Sequence, residues 1–404
     1  MLAQVISFLV MPVITRLHTP DSLGHYQFFT TLALVISPFV TGSLHFAIKS
    51  SPSKYRALKN LKLAMQFSLA CSLLFLIFVP VVILILAGTS LEWFSVYTPL
   101  LVLFVYLTAN YQFAMAYLTN IKNYGMQSTY SVSKSLISNF LKLTFSFFSR
   151  TGFSLIFALI LTELFQVLWL LKNSHKSLLR SFFRLKLSVF TKQLSSLRRY
   201  PTYVTMTSVL GILMNWFPIL VTGMFYGPEH VGVLGLAFMV VNTPVYPFIS
   251  ALRSVCFGEL ARDFSFSRCV SVYRKSFLVA FFPSVLGVLV LGSYGEELFS
   301  IIFGSEWRIS GNYAFICFFP IALSLLLSPI YSTLNHFFGF QRLFFLINLL
   351  VFIIGLTLTS TFGYLGFDFE WFLICFAITM SINHLLLFVI SLSLAFGKIS
   401  LKRL

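Results

Sequence analysis

Twelve apolar runs divide this chain, at about 1–15, 25–48, 63–87, 94–118, 130–149, 153–171, 201–226, 231–252, 276–292, 310–334, 343–361 and 370–395. Most exceed the roughly 20 residues with which a helix crosses a bilayer. A soluble fold could not bury them. Of the 404 residues 58% are hydrophobic and 10% charged, and the mean hydropathy is +0.91. Lipid offers no partner to a free backbone N–H or C=O, so the spans must be helical. The expected class is an all-α polytopic membrane protein of about 12 transmembrane helices. The first run is short, since a helix from Met1 to Ile14 covers only about 20 Å. A start upstream of Met1 is therefore expected. No cleavable signal is legible: there is no basic leader and no small-residue cleavage site.

Charge sets the expected orientation. If the loops alternate, one side holds 24 of the 28 Lys and Arg residues, Lys134 among them. The other side holds Arg16, Arg150 and Arg308, and Lys142 falls within a span. Most acids lie on that second side: Asp21, Glu92, Glu229, Glu296, Glu297, Glu306, Asp368 and Glu370. The positive-inside rule then puts both termini in the cytoplasm. It also accounts for the net charge of +17 without a nucleic-acid partner.

The chain repeats itself. Pro20-Asp21-Ser22-Leu23-Gly24 returns as Pro228-Glu229-His230-Val231-Gly232, 208 residues later. Glu92-Trp93 returns as Glu306-Trp307, and Tyr124-Gly125-Met126-Gln127 as Phe338-Gly339-Phe340-Gln341, both at 214. The six extra residues are expected in an outside loop at 293–309, and each motif is expected at a turn. Six spans per half is an even number. The expected organisation is thus two six-helix lobes, 1–171 and 201–404, related by a pseudo-two-fold along the membrane normal, with a site at their interface. Residues 172–200 would form a cytoplasmic amphipathic linker. There Lys176, Arg180 and Arg184 share one helical face, while Leu178, Leu179, Phe182 and Phe183 line the other.

Several chemistries are missing from the sequence. It has no Gly-x-x-x-x-Gly-Lys-Ser/Thr loop and no His-Glu-x-x-His. The five cysteines show no metal or disulfide spacing. The outside loops are too short for a glycosyltransferase or polymerase domain, so neither an enzyme nor a cofactor is expected.

Polar groups within the spans each need a reason. Lys142 and Glu163 cost roughly 2.5–3.5 kcal/mol each at mid-bilayer. They fall at similar depth across the turn at 150–152 and are expected to pair, either to fix packing or to bind an anion or coupled protons. His45 and Lys49 lie one helical turn apart, and the 208 offset maps His45 onto Arg253. Arg16 is a cation on the acidic side. Asn110, Asn215 and Asn242 read as interhelical hydrogen bonds or ligand contacts, and Trp216 as packing or a stacking surface. Pro12, Pro38, Pro218, Pro244 and Pro247 are expected to break spans one, two, seven and eight.

Pro12-Val13-Ile14-Thr15-Arg16-Leu17 and Thr19-Pro20-Asp21-Ser22-Leu23-Gly24-His25-Tyr26 resemble the first loop of bacterial polysaccharide flippases of O-antigen type. These belong to the multidrug/oligosaccharidyl-lipid/polysaccharide exporter superfamily. Gly227-Pro228-Glu229-His230-Val231-Gly232 and Phe303-Gly304-Ser305-Glu306-Trp307 resemble later loops of that family. The resemblance implies a V-shaped bundle with a cavity lined by spans one, two, seven and eight, in the bacterial inner membrane. It implies an undecaprenyl-diphosphate-linked oligosaccharide, such as the O-antigen unit of lipopolysaccharide, moved from inner to outer leaflet by alternating access. Arg16, His45, Lys49, Lys142 and Arg253 would then meet the diphosphate, Glu163 would couple or pair charge, and Asn110, Asn215, Trp216 and Asn242 would meet sugar. Partners implied are membrane lipid, a polysaccharide polymerase and chain-length proteins. A multidrug exporter and a cell-wall lipid precursor flippase of the same superfamily are the alternatives.

Overall fold

The apolar runs close their backbone hydrogen bonds within themselves. The computed structural model, which describes residues 2–86, 89–173, 187–262 and 265–401, has no strand among those residues. Fourteen α-helices follow in order among the described residues: α1 (Leu2–Leu17), α2 (Pro20–Thr41), α3 (Leu44–Lys49), α4 (Lys54–Leu86), α5 (Thr98–Asn120), α6 (Tyr124–Phe148), α7 (Gly152–Asn173), α8 (Leu187–Ser196), α9 (Thr205–Phe225), α10 (Gly227–Arg262), α11 (Phe266–Phe303), α12 (Arg308–Phe338), α13 (Gln341–Tyr364) and α14 (Phe369–Leu401). Ten stretches among the described residues are long and apolar enough to cross a membrane. Helix α1 is shorter, and α6, at 25 residues, is long enough but more polar. With those two, the twelve expected spans are accounted for.

The Pro-acid-x-aliphatic-Gly motifs start helices. Pro20 occupies the first turn of α2, Thr19 is its N-cap and accepts from the Ser22 amide, and Asp21 sits where the helix dipole favours an anion. Pro228 and Glu229 repeat this at the start of α10, after Gly227 at φ 83°. The Glu-Trp repeats open matched 3₁₀ turns, Glu92–Tyr97 before α5 and Ser305–Trp307 before α12. The stretch expected as an outside loop at 293–309 is helical instead. Helix α11 runs on to Phe303, and a 3₁₀ turn at Ser305–Trp307 leads directly into α12.

The proline expectation also needs correction. Helices α1, α9 and α10 continue through Pro12, Pro218, Pro244 and Pro247. Helix α2 likewise continues through Pro38, and span two is interrupted only beyond it, at Gly42 and Ser43, both left-handed with φ 52° and 50°. A Cβ on Gly42 would lie 2.6 Å from the Phe67 ring, so glycine is required there twice over. The basic and apolar faces expected from Lys176 to Arg184 lie outside the described residues.

Residue contacts divide the chain into two units, Met1–Trp216 with Gly227–Val231, and Phe217–Tyr226 with Gly232–Leu404. In the first, α6 packs on α1 and α7, α2 packs on α5 and α7, and α4 packs on α5. Phe29, Phe113, Tyr130 and Ile156 are fully buried there. Gln193 of α8 donates to Lys59 O and Asn60 Oδ1 at the start of α4, both at 3.3 Å. In the second unit α12 lies against α11 and α14, around Trp307, Phe217 and Phe372.

The third span of each half, α4 and α11, buries only 17% of its most apolar window, against 61% for α12. These two helices leave most of their apolar surface uncovered by protein, as expected where the solvent is lipid.

Candidate functional site

The most costly groups in the first unit sit on α6 and α7. Lys134 lies ten residues into α6 and Glu163 eleven into α7. At 1.5 Å per residue each is about 15 Å from the helix end, near the middle of a bilayer. They meet: Lys134 Nζ is 2.5 Å from Glu163 Oε1, with side-chain exposures of 27% and 3%. The ammonium also stands 3.9 Å from the centre of the Tyr111 ring, so a cation–π contact supplements the ion pair. Glu163 Oε2 and Gln166 Oε1, one turn apart on α7, are buried without a protein partner. Gln166 Nε2 donates to Ser133 Oγ at 3.4 Å. One carboxylate oxygen is thus neutralised, and two further oxygens are buried beside it without a protein partner.

Glu163 was expected to pair with Lys142, and Lys134 was expected in a loop. Neither holds: Lys134 lies inside α6, and it takes the place expected of Lys142. Lys134 and Lys142 are eight residues apart on one helix, about 80° of rotation, so they face different neighbours. Lys142 faces α2, where its Nζ donates to Tyr26 Oη at 2.8 Å and stands 4.9 Å from that ring's centre.

Lys142 belongs to a polar row on α6 made of Ser135, Asn139, Lys142 and Ser146. Asn139 Nδ2 donates to Ser7 Oγ of α1 at 3.1 Å. Ser146 Oγ gives its proton to Lys142 O at 2.6 Å, so it accepts from His18 Nε2 at 2.7 Å. His18 Nδ1 lies 3.2 Å from Ser22 Oγ. His18 sits between α1 and α2 and is buried. Burial pulls its pKa below the ordinary 6.5, opposed in part by a hydrogen bond to the Arg150 backbone.

His45 and Lys49 come together on α3, around Phe46. The His45 ring lies 4.1 Å from the Phe46 ring, and Lys49 Nζ 5.9 Å from its centre. Lys49 is exposed, as is Arg16 in the last turn of α1. Asn110 is buried and donates to Tyr106 O at 2.8 Å; exposed Asn215 donates to Gly211 O at 2.7 Å, beside half-buried Trp216. Both amides donate to a carbonyl one turn back in their own helices.

In the second unit Arg253 is exposed on α10 and interacts electrostatically with Tyr246, Tyr331 and His384. Tyr331 Oη and His384 Nδ1 are 3.0 Å apart. Asn242 is buried with Oδ1 unpartnered. Lys134 and His384 are the polar groups that sequence reasoning passed over. Lys134 was masked by a loop assignment, although the Ser131, Ser133, Ser135 and Asn139 around it mark a polar helix.

Comparison with known proteins gives the chain a context. A family model described as "Polysaccharide biosynthesis protein" matches residues 13–312. A stretch of 125 residues is 27% identical to the "Probable low-salt glycan biosynthesis flippase Agl15" of Haloferax volcanii, covering 30% of this chain. That match spans only 26% of the relative's length. Among solved structures, an inward-facing multidrug resistance MATE family transporter of the MOP superfamily is 12% identical, with a TM-score of 0.71 over 98% of this chain and 95% of its own. The lipid II flippase MurJ in an inward closed conformation is 17% identical, with a TM-score of 0.70 over 99% of this chain and 88% of its own. The fold is therefore that of the MOP superfamily.

Proposed function

We propose, because this chain belongs to the polysaccharide biosynthesis protein family, that it is a flippase for a lipid-linked oligosaccharide. The substrate we favour is an undecaprenyl-diphosphate-linked unit of O-antigen or a related surface polysaccharide, moved from inner to outer leaflet by alternating access. The bias of basic residues supports an orientation with both termini in the cytoplasm, and the membrane we favour is a bacterial inner membrane. The halves that do this work are 1–171 and 201–404, joined by 172–200, with no covalent step and no cofactor.

One observation carries the mechanism: the Lys134–Glu163 pair at mid-bilayer with Glu163 Oε2 and Gln166 Oε1 open beside it. A charge pair there is expensive to bury and contributes little to stability compared with apolar packing, which points to use in transport. Protonation of Glu163, or its occupation by a cation, weakens its hold on Lys134. That frees an ammonium and couples an ion gradient to the conformational cycle, in a chain with no nucleotide-hydrolysis motif. Arg16, Lys49, Lys142 and Arg253 are the cations available to a diphosphate, with His45 as a further ring N–H donor; a diphosphate needs charge-assisted donors where water is scarce. Asn110, Asn215, Trp216 and Asn242 remain the proposed sugar contacts.

Deletion of the gene tests this reading. Surface polysaccharide should be lost, and lipid-linked repeat units should build up. Normal display without that build-up would overturn it. Loss of drug resistance alone would favour an exporter, and lethality a cell-wall precursor flippase.

A further inference from the structure

The end of α11 and the start of α12, both in the second unit, line a surface-open cleft of about 310 Å³. Its lining combines three kinds of group: the carboxylates of Glu296 and Glu297, the planar donors and acceptors of Arg308 and Asn312, and the rings of Tyr294 and Phe315. We propose that this cavity is a saccharide-binding pocket that takes a neutral or amino sugar of the translocated glycan on its outer side. The proposal rests on the flippase reading for the identity of the glycan and on the proposed orientation for its side of the membrane.

The polar groups are already held in place. Arg308 Nε donates to Glu296 Oε2 at 2.9 Å, and Asn312 Nδ2 donates to Glu370 Oε1 at 2.8 Å. Each bond fixes the plane of a side chain and leaves part of it available: guanidinium N–H groups on Arg308 and the carbonyl oxygen on Asn312. Pairs of donors and acceptors in one plane match vicinal hydroxyls, and an aromatic ring offers its face to the C–H side of a sugar. A volume near 300 Å³ is at the lower end for small-molecule sites, enough for one or two sugar rings.

Charge narrows the ligand. Glu296, Glu297 and Glu370 outweigh Arg308, so acidic sugars and phosphates are disfavoured. Arg308 already occupies a carboxylate oxygen of Glu296, which counts against a divalent cation.

Glycines let the two helices that line the cavity approach closely beside it. A Cβ on Gly292 would lie 2.9 Å from the Phe315 ring, and one on Gly311 would overlap the Gly295 backbone. The matched corner of the first unit is filled instead. There His25, Trp93 and Tyr97 pack ring against ring, at 4.6 Å and 5.4 Å from His25.

The test uses full-length protein in nanodiscs and saturation-transfer NMR with N-acetylglucosamine, glucosamine and glucuronic acid as probes. N-acetylglucosamine or glucosamine should receive saturation, with glucuronic acid at least tenfold weaker. Asn312→Leu and the exposed Tyr294→Ala, both checked for unchanged thermal unfolding, should each weaken binding at least tenfold. No transfer to any probe, or equal transfer in both variants, overturns the pocket. In proteoliposomes the same preparation reports flipping of a lipid-linked glycan. Flipping without sugar binding defeats the pocket alone, and sugar binding without flipping defeats the proposed function alone.

Discussion

Lys134 of α6 and Glu163 of α7 form an ion pair at 2.5 Å in the middle of two membrane-spanning helices, with the Tyr111 ring against the ammonium. Breaking one side of such a pair leaves an uncompensated charge. Glu163→Gln and Lys134→Met should each lower stability by about 3 kcal/mol, the low end of the usual range because Lys134 keeps some exposure. The double variant Lys134→Met/Glu163→Leu should recover most of that loss and still fail to support surface polysaccharide. Thermal unfolding in detergent and a display assay separate the two effects. A double variant that restores display would make the pair a packing device.

Lys142 bonds to Tyr26 Oη at 2.8 Å, across α6 and α2. Tyr26→Phe removes that acceptor and should cost about 1.5–3 kcal/mol, as for a hydrogen bond to a charged group. Lys142→Ala should cost no more than Tyr26→Phe if the bond is the whole of its structural role. A larger loss of display than of stability in Lys142→Ala would assign the ammonium to the substrate.

His18, held neutral by burial between Ser22 and Ser146, gives a pH dependence. Its folded pKa lies below the unfolded value, so its contribution is present above the ordinary 6.5 and is lost as pH falls through the folded value. Wild-type protein should therefore lose thermal stability between pH 7 and pH 5. His18→Gln should be less stable at pH 7 and flatter over the same interval. An equal slope in both proteins would contradict the assignment.

Gly311 brings α12 against the Gly295 backbone of α11. Gly311→Ala should force the helices apart, at about 1–3 kcal/mol for overpacking. Gly125→Ala, with open space around it, should be neutral or slightly stabilising. Unfolding temperatures of the two variants check this directly.

Much of this architecture is legible from hydropathy and repeats, because a span must be long and apolar and its helical state follows from lipid itself. The match of Glu92-Trp93 to Glu306-Trp307 proved to be a match of 3₁₀ turns at helix starts. What failed depends on rotation about a helix axis. Run length places Lys134 and Lys142 near the same span but does not say that they face different neighbours, α7 and α2. The charge-alternation argument drew Lys134 into a loop because it counts basic residues as loop residues, and a paired lysine inside a span violates that premise. The expected breaks at Pro218, Pro244 and Pro247 failed because a helix can absorb a proline without ending. The interruption at Gly42 and Ser43 comes from two consecutive left-handed residues, only one of them a glycine.

The central claim is transport of a lipid-linked oligosaccharide coupled through Glu163. Its most direct measurement is the rate at which a diphosphate-linked oligosaccharide on a polyprenyl lipid crosses the bilayer of proteoliposomes, read by a membrane-impermeant reagent that modifies exposed glycan. Wild-type protein should raise that rate well above protein-free liposomes, and Glu163→Gln should lower it at least tenfold at unchanged protein content. A wild-type rate equal to that of empty liposomes would contradict the account.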